Sequence, residues 1–98
     1  MHGIIVTILG RQWTLLFCKR LRRLPDGQQA RGWCDDPTTK GKTIRIREGQ
    51  SDENELDTVL HELLHAAGWH IEENFIEQFS TDAAKVLIRL GWRKTEGK

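Results

Sequence analysis

The chain has 98 residues, a length that fits one domain with a single hydrophobic core. Its 15 lysine and arginine residues nearly balance its 14 aspartate and glutamate residues, and the net charge of +1 gives no general argument for nucleic-acid or membrane binding. No apolar run is long enough to span a membrane, no signal peptide is visible, and Cys18 and Cys34 are too few for a disulfide framework. We therefore expect one cytoplasmic domain over residues 1–98 with reduced cysteines.

The first half of the chain predicts a small sheet. Four segments have the composition or alternation of a strand: residues 4–9, 12–19, 31–35 and 43–47. The turn at Gly10-Arg11 predicts that the first two strands pair antiparallel, and turn residues also separate the later strands. Ile44 and Ile46 alternate with polar residues, so the fourth strand should have one apolar face.

The second half predicts two helices, over about residues 53–68 and 71–90. A capping box at Asp52-x-x-Glu55 begins the first helix and Gly68 ends it. The apolar positions of the two helices predict these core residues: Leu56, Val59, Leu60, Leu63 and Ala67, then Ile76, Phe79, Ala83, Val86, Leu87 and Leu90. Strands come first and helices last, which indicates an α+β fold: a small antiparallel or mixed sheet packed on an αα-hairpin.

The segment His61-Glu62-Leu63-Leu64-His65 lies inside the first predicted helix. Side chains four residues apart share one helix face, so both imidazoles can reach one ion at about 2.0–2.1 Å per bond. Glu62 projects beside the pair and can hold a water without occupying a ligand position. The alternative is an ordinary helix with two solvent-facing histidines, but the apolar stripe and the signals at both helix ends argue against it. The segment therefore predicts a metal site.

A catalytic zinc ion needs a third protein ligand and one open coordination position. The short turn after Gly68 should return the second helix antiparallel to the first, bringing its first two turns level with the histidines. Glu73 is the predicted ligand because it lies at the edge of the apolar face. Glu72, nearer the middle of that face, and His70, in the turn, remain alternatives. Glu77 is predicted to accept a hydrogen bond from the first motif histidine.

The His-Glu-x-x-His motif at residues 61–65 resembles that of the zincin metallopeptidases, and residues 73–79 resemble the glutamate helix of the gluzincins, with an apolar residue, a carboxylate and an aromatic residue at the family's spacing. Residues 32–46, a predicted hairpin ending in Ile-x-Ile, resemble the segment before the motif helix in SprT-like and phage-type small zinc peptidase domains. The resemblance covers about residues 30–92. The chain departs from these families in the short gap between His65 and Glu73 and in having no tyrosine.

The resemblance implies a zincin-like metallopeptidase that depends on Zn²⁺ and hydrolyses peptide bonds. It implies that His61, His65 and Glu73 hold the ion, and that Glu62 is the general base for a water activated by the metal. The expected partner is a peptide or protein substrate.

Two further roles remain open in the sequence. In place of the missing tyrosine, His70, Arg45 or Arg47 could stabilise the oxyanion. Residues 43–47 are a candidate sheet edge for docking an extended peptide, with plain sheet structure an equal alternative.

Two other functions compete with hydrolysis. One is a non-catalytic zinc-binding domain, structural or interacting, in which the ion stabilises a small fold. The other is a nucleic-acid-directed module that uses the basic segment at residues 19–23, although a solvated strand end and loop is the expected role of that segment, so nucleic-acid binding is not expected. Trp13, Trp33 and Trp92 are expected in the core or at its rim, and Trp69 beside the metal site. No motif indicates an oligomeric state.

Overall fold

A computed structural model describes residues 2–21 and 23–95 of the chain. Arg22, part of the basic segment, and the last three residues of the charged tail lie outside the described residues. The elements in chain order are β1 (His2–Ile8), β2 (Arg11–Cys18), β3 (Gly32–Cys34), β4 (Thr43–Arg47), α1 (Asp52–Ala67) and α2 (Glu73–Arg89). Neither helix is both long enough and apolar enough to cross a membrane.

The four strands form one mixed sheet in the order β1-β2-β4-β3. β1 and β2 pair antiparallel through a tight turn, at which Leu9 and Gly10 both adopt positive φ angles of 49° and 80°. β4 pairs parallel with β2 on one side and antiparallel with β3 on the other. The prediction of an α+β fold is therefore confirmed. The prediction that residues 43–47 form a sheet edge is wrong, because β4 is an interior strand and β3 is the edge strand.

The main core lies between one face of the sheet and α1. Its centre is formed by Trp13, Ile44 and Ile46, all at most 1% exposed, with Leu15, Cys34 and Ala66 around them. Along β2 and β4 these residues alternate with half-buried neighbours such as Thr14 and Arg45, as expected for a sheet with one face more fully covered than the other. Trp13 thus confirms its prediction as a core residue. Trp92 is 63% exposed, so its assignment to the core or its rim is wrong.

The amino-terminal cap of α1 differs from the prediction. Ser51, rather than Asp52, is the cap residue, and its Oγ accepts a hydrogen bond from the Asn54 backbone N–H at 3.2 Å. Asp52 is therefore the first helical residue, where its charge favours the helix dipole. Glu55 is buried and meets Lys94 Nζ at 3.1 Å, so the residues after α2 pack back onto the start of α1.

The predicted core face of α1 is correct at its centre only. Val59 and Leu63 pack against the core cluster, but Ala67 is exposed and Ala66 is buried in its place. The most buried face of α1 lies one residue away from the predicted stripe and includes Thr58 and Glu62. The sequence signal failed because this face contains polar side chains that apolar periodicity does not detect.

The predicted core face of α2 is largely wrong. Ile76 is buried as predicted, and Ala83 and Leu87 are half-buried, but three predicted core residues are exposed: Phe79, Val86 and Leu90. Ser80 and Ala84 are fully buried with Ile76, and these small side chains allow α2 to approach α1 closely. Of the helices and strands, α1 is the only one that α2 contacts. The outer face of α2 therefore keeps its large apolar residues in solvent.

Candidate metal centre

The turn between the helices determines which residues of α2 lie beside α1. The Gly68 N–H donates to the Leu64 carbonyl at 2.9 Å and closes α1, and the Ile71 N–H donates to the Gly68 carbonyl at 3.0 Å. A Cβ at Gly68 would collide with the Ile71 side chain, so any other residue here would have to displace that side chain. Glu72 is the cap residue of α2, and its Oε1 accepts from the Phe75 N–H at 3.3 Å. Glu73 is consequently the first residue of the second helix.

A polar clasp fixes the register of the two helices. Asp57, one turn before His61, accepts hydrogen bonds from Ser80 Oγ at 2.9 Å and from Thr81 Oγ1 at 3.0 Å. Ser80 is fully buried, so its hydroxyl contact is shielded from water. The clasp holds α2 at a fixed height along α1 and thereby sets the position of Glu73.

The ligand atoms of His61, His65 and Glu73 converge on one point. The two Nε2 atoms are 3.2 Å apart, and each lies 3.1 Å from a carboxylate oxygen of Glu73. Two ligands bound to zinc at about 2.0–2.1 Å with a tetrahedral angle between them are separated by about 3.3 Å. The two imidazole nitrogens thus have about the separation of two ligands on a tetrahedral zinc ion. Each faces a different carboxylate oxygen of Glu73, Oε2 for His61 and Oε1 for His65. These residues form a group that could hold a metal ion, and they are the only such group found among the residues that the structure describes.

The histidine side chains are about 20% exposed and the Glu73 side chain is 54% exposed, so the group is open on one side. It faces a cleft of about 540 Å³ whose walls include Asp57, Glu62 and Glu77. Burial lowers the pKa of His65 below its ordinary value, although the Glu73 carboxylate acts in the opposite direction. The neutral imidazole that results is the form that binds a metal.

Glu62 lies in the wall of the same cleft and is 8% exposed. Burial, and secondarily the charge of Glu73, raises its pKa to about 7. No hydrogen-bond donor within residues 2–21 and 23–95 reaches its carboxylate. A Cβ at Gly32 would lie 2.9 Å from Glu62 Oε2, which shows how closely the carboxylate approaches the backbone of β3. Glu62 is therefore a largely buried carboxylate in the cleft wall beside the converging ligand atoms.

The other predicted site residues are not in the converging group. The Glu72 side chain caps α2, and His70 is exposed in the turn, where it lines a separate cavity beside Asp36. Glu77 lines the cleft, but within the described part of the chain no hydrogen bond joins its carboxylate to His61. Trp69 lies beside the group as predicted, with its ring 6.0 Å from that of His65.

The proposed oxyanion residues are also directed elsewhere. Arg45 pairs with Asp35 at 3.4 Å, Arg47 Nη1 donates to the Gln29 carbonyl at 3.3 Å, and neither arginine lines the cleft. Cys34 is buried, and burial, with the charges of Glu62 and Asp35, raises the pKa of its thiol to about 12. The thiol therefore stays protonated and does not compete as a metal ligand.

Two contributors to the site were missed in the sequence. Asp57 lies four residues before His61 on the same helix, a spacing that could have marked it as a neighbour of the site. Gly32 carries no comparable signal, because its proximity to Glu62 depends on how β3 crosses α1.

Replacing Asp57 by alanine should destabilise the protein by about 1–3 kcal/mol, because the two hydrogen bonds from Ser80 and Thr81 to its charged carboxylate are lost. Ser80 Oγ would keep only the Glu77 carbonyl of its own helix, at 3.2 Å. It should also weaken zinc binding roughly tenfold by releasing the helix that carries Glu73. Denaturant unfolding and zinc titration against a chelator would measure both effects. Asp82→Ala, at an exposed position of α2, is the matched control and should change stability by less than about 0.5 kcal/mol. If the two variants had equal stability and equal zinc affinity, the Asp57 hydrogen bonds would not fix the position of α2.

Compared with known proteins, the chain matches no protein-family model, no curated protein and no solved structure. The function of the candidate site is therefore inferred from the site itself.

Proposed function

We propose that this chain is a zinc-dependent metallopeptidase of the zincin type, in which His61, His65 and Glu73 hold Zn²⁺ and Glu62 is the general base. The observation that carries the proposal is the convergence of two imidazole nitrogens, 3.2 Å apart, on the Glu73 carboxylate, whose two oxygens each lie 3.1 Å from one of them. The Glu62 carboxylate lies beside this group, and none of the described residues donates a hydrogen bond to it. Two imidazoles and one carboxylate form a ligand set that suits zinc. Three protein ligands leave one position open, as a catalytic zinc site requires.

When bound, the ion would polarise the scissile carbonyl and lower the pKa of a coordinated water. The protein supplies the proton transfers. Glu62 accepts the proton of the attacking water at a carboxylate oxygen and then donates it to the nitrogen of the leaving amine. Its low exposure suits this role, and among the described residues no hydrogen-bond donor competes for the carboxylate.

An extended peptide would add to the sheet at β3, the edge strand nearest to Glu62. Strand addition supplies main-chain hydrogen bonds that are independent of the substrate sequence. Gly32, in this strand, lets the backbone lie against the Glu62 side chain. The scissile bond would then lie between the edge of the sheet and α1.

A non-catalytic zinc-binding domain is the second candidate. It is favoured by the absence of tyrosine from the chain and by the absence of Arg45, Arg47 and His70 from the cleft wall. In such a domain the ion would contribute only to folding. The two candidates agree on the metal ligands and differ on the role of Glu62.

The proposal is tested by metal analysis and hydrolysis assays on protein purified without chelator. We expect one zinc per chain, cleavage of a quenched-fluorescent peptide library, loss of cleavage on treatment with 1,10-phenanthroline, and recovery when zinc is returned. Anomalous scattering at the zinc edge of a crystal would identify the ligands directly. Protein that contains no metal and does not take up zinc would refute both candidates, and cleavage unaffected by the chelator would refute the first.

Gly32→Ala should reduce hydrolysis about a hundredfold, because a displacement of about 1 Å in a catalytic group is enough for such a loss. The added methyl group would lie 2.7 Å from Thr58 Cγ2 and 2.9 Å from Glu62 Cγ and Oε2, so the carboxylate must move. The rate should be measured at saturating zinc. Gly3→Ala, in β1 and away from the site, is the control. Its added methyl group would lie 2.6 Å from Leu16 Cδ2, so it causes a comparable steric clash. A similar loss in both variants would indicate a general effect on folding.

A further inference from the structure

A second cavity, of about 530 Å³, adjoins the metal cleft and is strongly basic. We call it the basic groove and define it by the four cationic side chains that line it: Lys19, Arg23, Arg31 and Arg47. Among the described residues of its wall, Glu48 is the only acidic one. The chain as a whole is nearly neutral, so this concentration of positive charge is local.

The charges of the basic groove are not neutralised by the protein. Within the part of the chain that the structure describes, none of the four side chains forms an ion pair with a carboxylate. Arg23 and Arg47 instead donate to backbone carbonyls, those of Gly27 at 2.7 Å and Gln29 at 3.3 Å. These bonds orient the guanidinium groups and leave their other N–H groups available. Cations elsewhere, such as Arg45 and Lys94, do pair with carboxylates.

The basic groove is continuous with the metal cleft. Gln28, Gln29 and Arg31 line both cavities. Arg31 directly precedes Gly32, whose backbone lies against Glu62. A chain that occupies the cleft and continues along the edge of the sheet would therefore enter the basic groove within a few residues of Glu62.

We propose that the basic groove is a specificity subsite, and that the substrates are polypeptides with one or more aspartate or glutamate residues on one side of the scissile bond. This proposal rests on the proposed peptidase function and names its substrate class. A substrate carboxylate would accept charge-assisted hydrogen bonds from Arg31 and its neighbours. Opposite charges across the groove would also speed the encounter with acidic segments.

A polypeptide fits the groove better than a nucleic acid does. No aromatic side chain is among the described residues that line it, so a single strand would find no surface on which its bases could stack. The groove is a shallow, open patch of limited extent next to the cleft rather than a long basic surface, and the net charge of the chain is only +1.

The first test is a cleavage-site profile on a proteome-derived peptide library, read by mass spectrometry. We expect acidic residues to be enriched roughly tenfold on one side of the cleaved bond, the effect of one charge-assisted hydrogen bond. The double variant Lys19→Glu/Arg31→Glu should lose this enrichment or prefer basic residues. Both positions are exposed, so folding should be retained. Lys40→Glu/Lys85→Glu changes the net charge equally at exposed positions outside the groove and should keep the acidic preference.

The second test measures binding without hydrolysis. Fluorescence anisotropy would compare a labelled peptide centred on Glu-Glu, the matched Gln-Gln peptide and a single-stranded oligothymidine. We expect the glutamate peptide to bind about tenfold more tightly than the glutamine peptide, and this difference to vanish in Lys19→Glu/Arg31→Glu.

The two tests separate the possible failures. Cleavage without acidic preference, together with equal binding of the two peptides, would overturn the basic-groove proposal and leave the peptidase function intact. Charge-dependent binding without any zinc-dependent cleavage would overturn the peptidase function and retain acidic recognition by the groove. Tighter binding of the oligothymidine with a steep salt dependence would overturn the assignment of a polypeptide ligand.

Discussion

Glu62→Gln should reduce zinc-dependent peptide hydrolysis by about 10²–10⁴-fold, the usual contribution of a general acid–base group, while the zinc content stays at one per chain. The amide has nearly the shape of the carboxylate but cannot accept the proton of the attacking water. Since no described protein donor bonds to the carboxylate, the substitution breaks no hydrogen bond. It also replaces a buried acid beside Glu73 with a neutral group, so the melting temperature should not fall.

The measurements are kcat/KM on a cleaved library peptide, zinc content by mass spectrometry and thermal unfolding of the zinc-loaded protein. Glu53→Gln, near the amino-terminal end of α1 and outside the cleft, is the matched control and should keep full activity. If Glu62→Gln retained its activity within about threefold, Glu62 would not be a general base. If wild type and variant were both inactive with full zinc content, the non-catalytic domain would be the better description.

Glu73→Ala should weaken zinc binding by more than about a hundredfold. Losing a residue that only hydrogen-bonds to a metal ligand costs up to about a hundredfold, and losing a ligand should cost more. The variant removes both carboxylate oxygens, which lie 3.1 Å from the two Nε2 atoms, and leaves two imidazoles to hold the ion. Hydrolysis should fall with occupancy and return in part at high zinc concentration. Zinc affinity should be measured by competition with a chromophoric chelator at constant pH.

Glu72→Ala and Glu77→Ala are informative controls because they remove carboxylates immediately before and one turn after Glu73. Glu72→Ala should cost about 0.5–2 kcal/mol of stability through loss of the α2 cap, with little change in zinc affinity. Glu77→Ala removes a cleft residue that, in the part of the chain described, forms no hydrogen bond with His61 or His65. A larger loss of zinc affinity in either control than in Glu73→Ala would reassign the third ligand.

Local signals predicted the elements well because their causes are local. The alternation in residues 43–47 predicted β4 with its observed bounds, and α1 begins and ends within one residue of its prediction. The position of β4 within the sheet could not be predicted this way. Its parallel pairing with β2 joins residues about thirty positions apart, and the same alternation would occur in an edge strand.

The choice between Glu72 and Glu73 shows a second limit. Adjacent residues on a helix point about 100° apart, so a shift of one residue in the turn exchanges their directions. The turn is set by the Gly68 contacts and by the capping role of Glu72, neither of which follows from apolar periodicity. Phe79 is exposed and Ser80 is buried for the same reason: the observed buried face of α2 is shifted by one residue from the predicted face.

Among the described helices and strands α2 contacts α1 alone, so the position of Glu73 depends on that one interface. An ion bound by His61, His65 and Glu73 would link α2 to α1 at a second point, in addition to the hydrogen bonds of Asp57. Metal binding and the docking of α2 on α1 would then be coupled. Without the ion, the sheet would stay folded but α2 would be loosely attached to α1. We then expect the metal-free protein to be cleaved by proteases in α2 faster than the metal-bound protein.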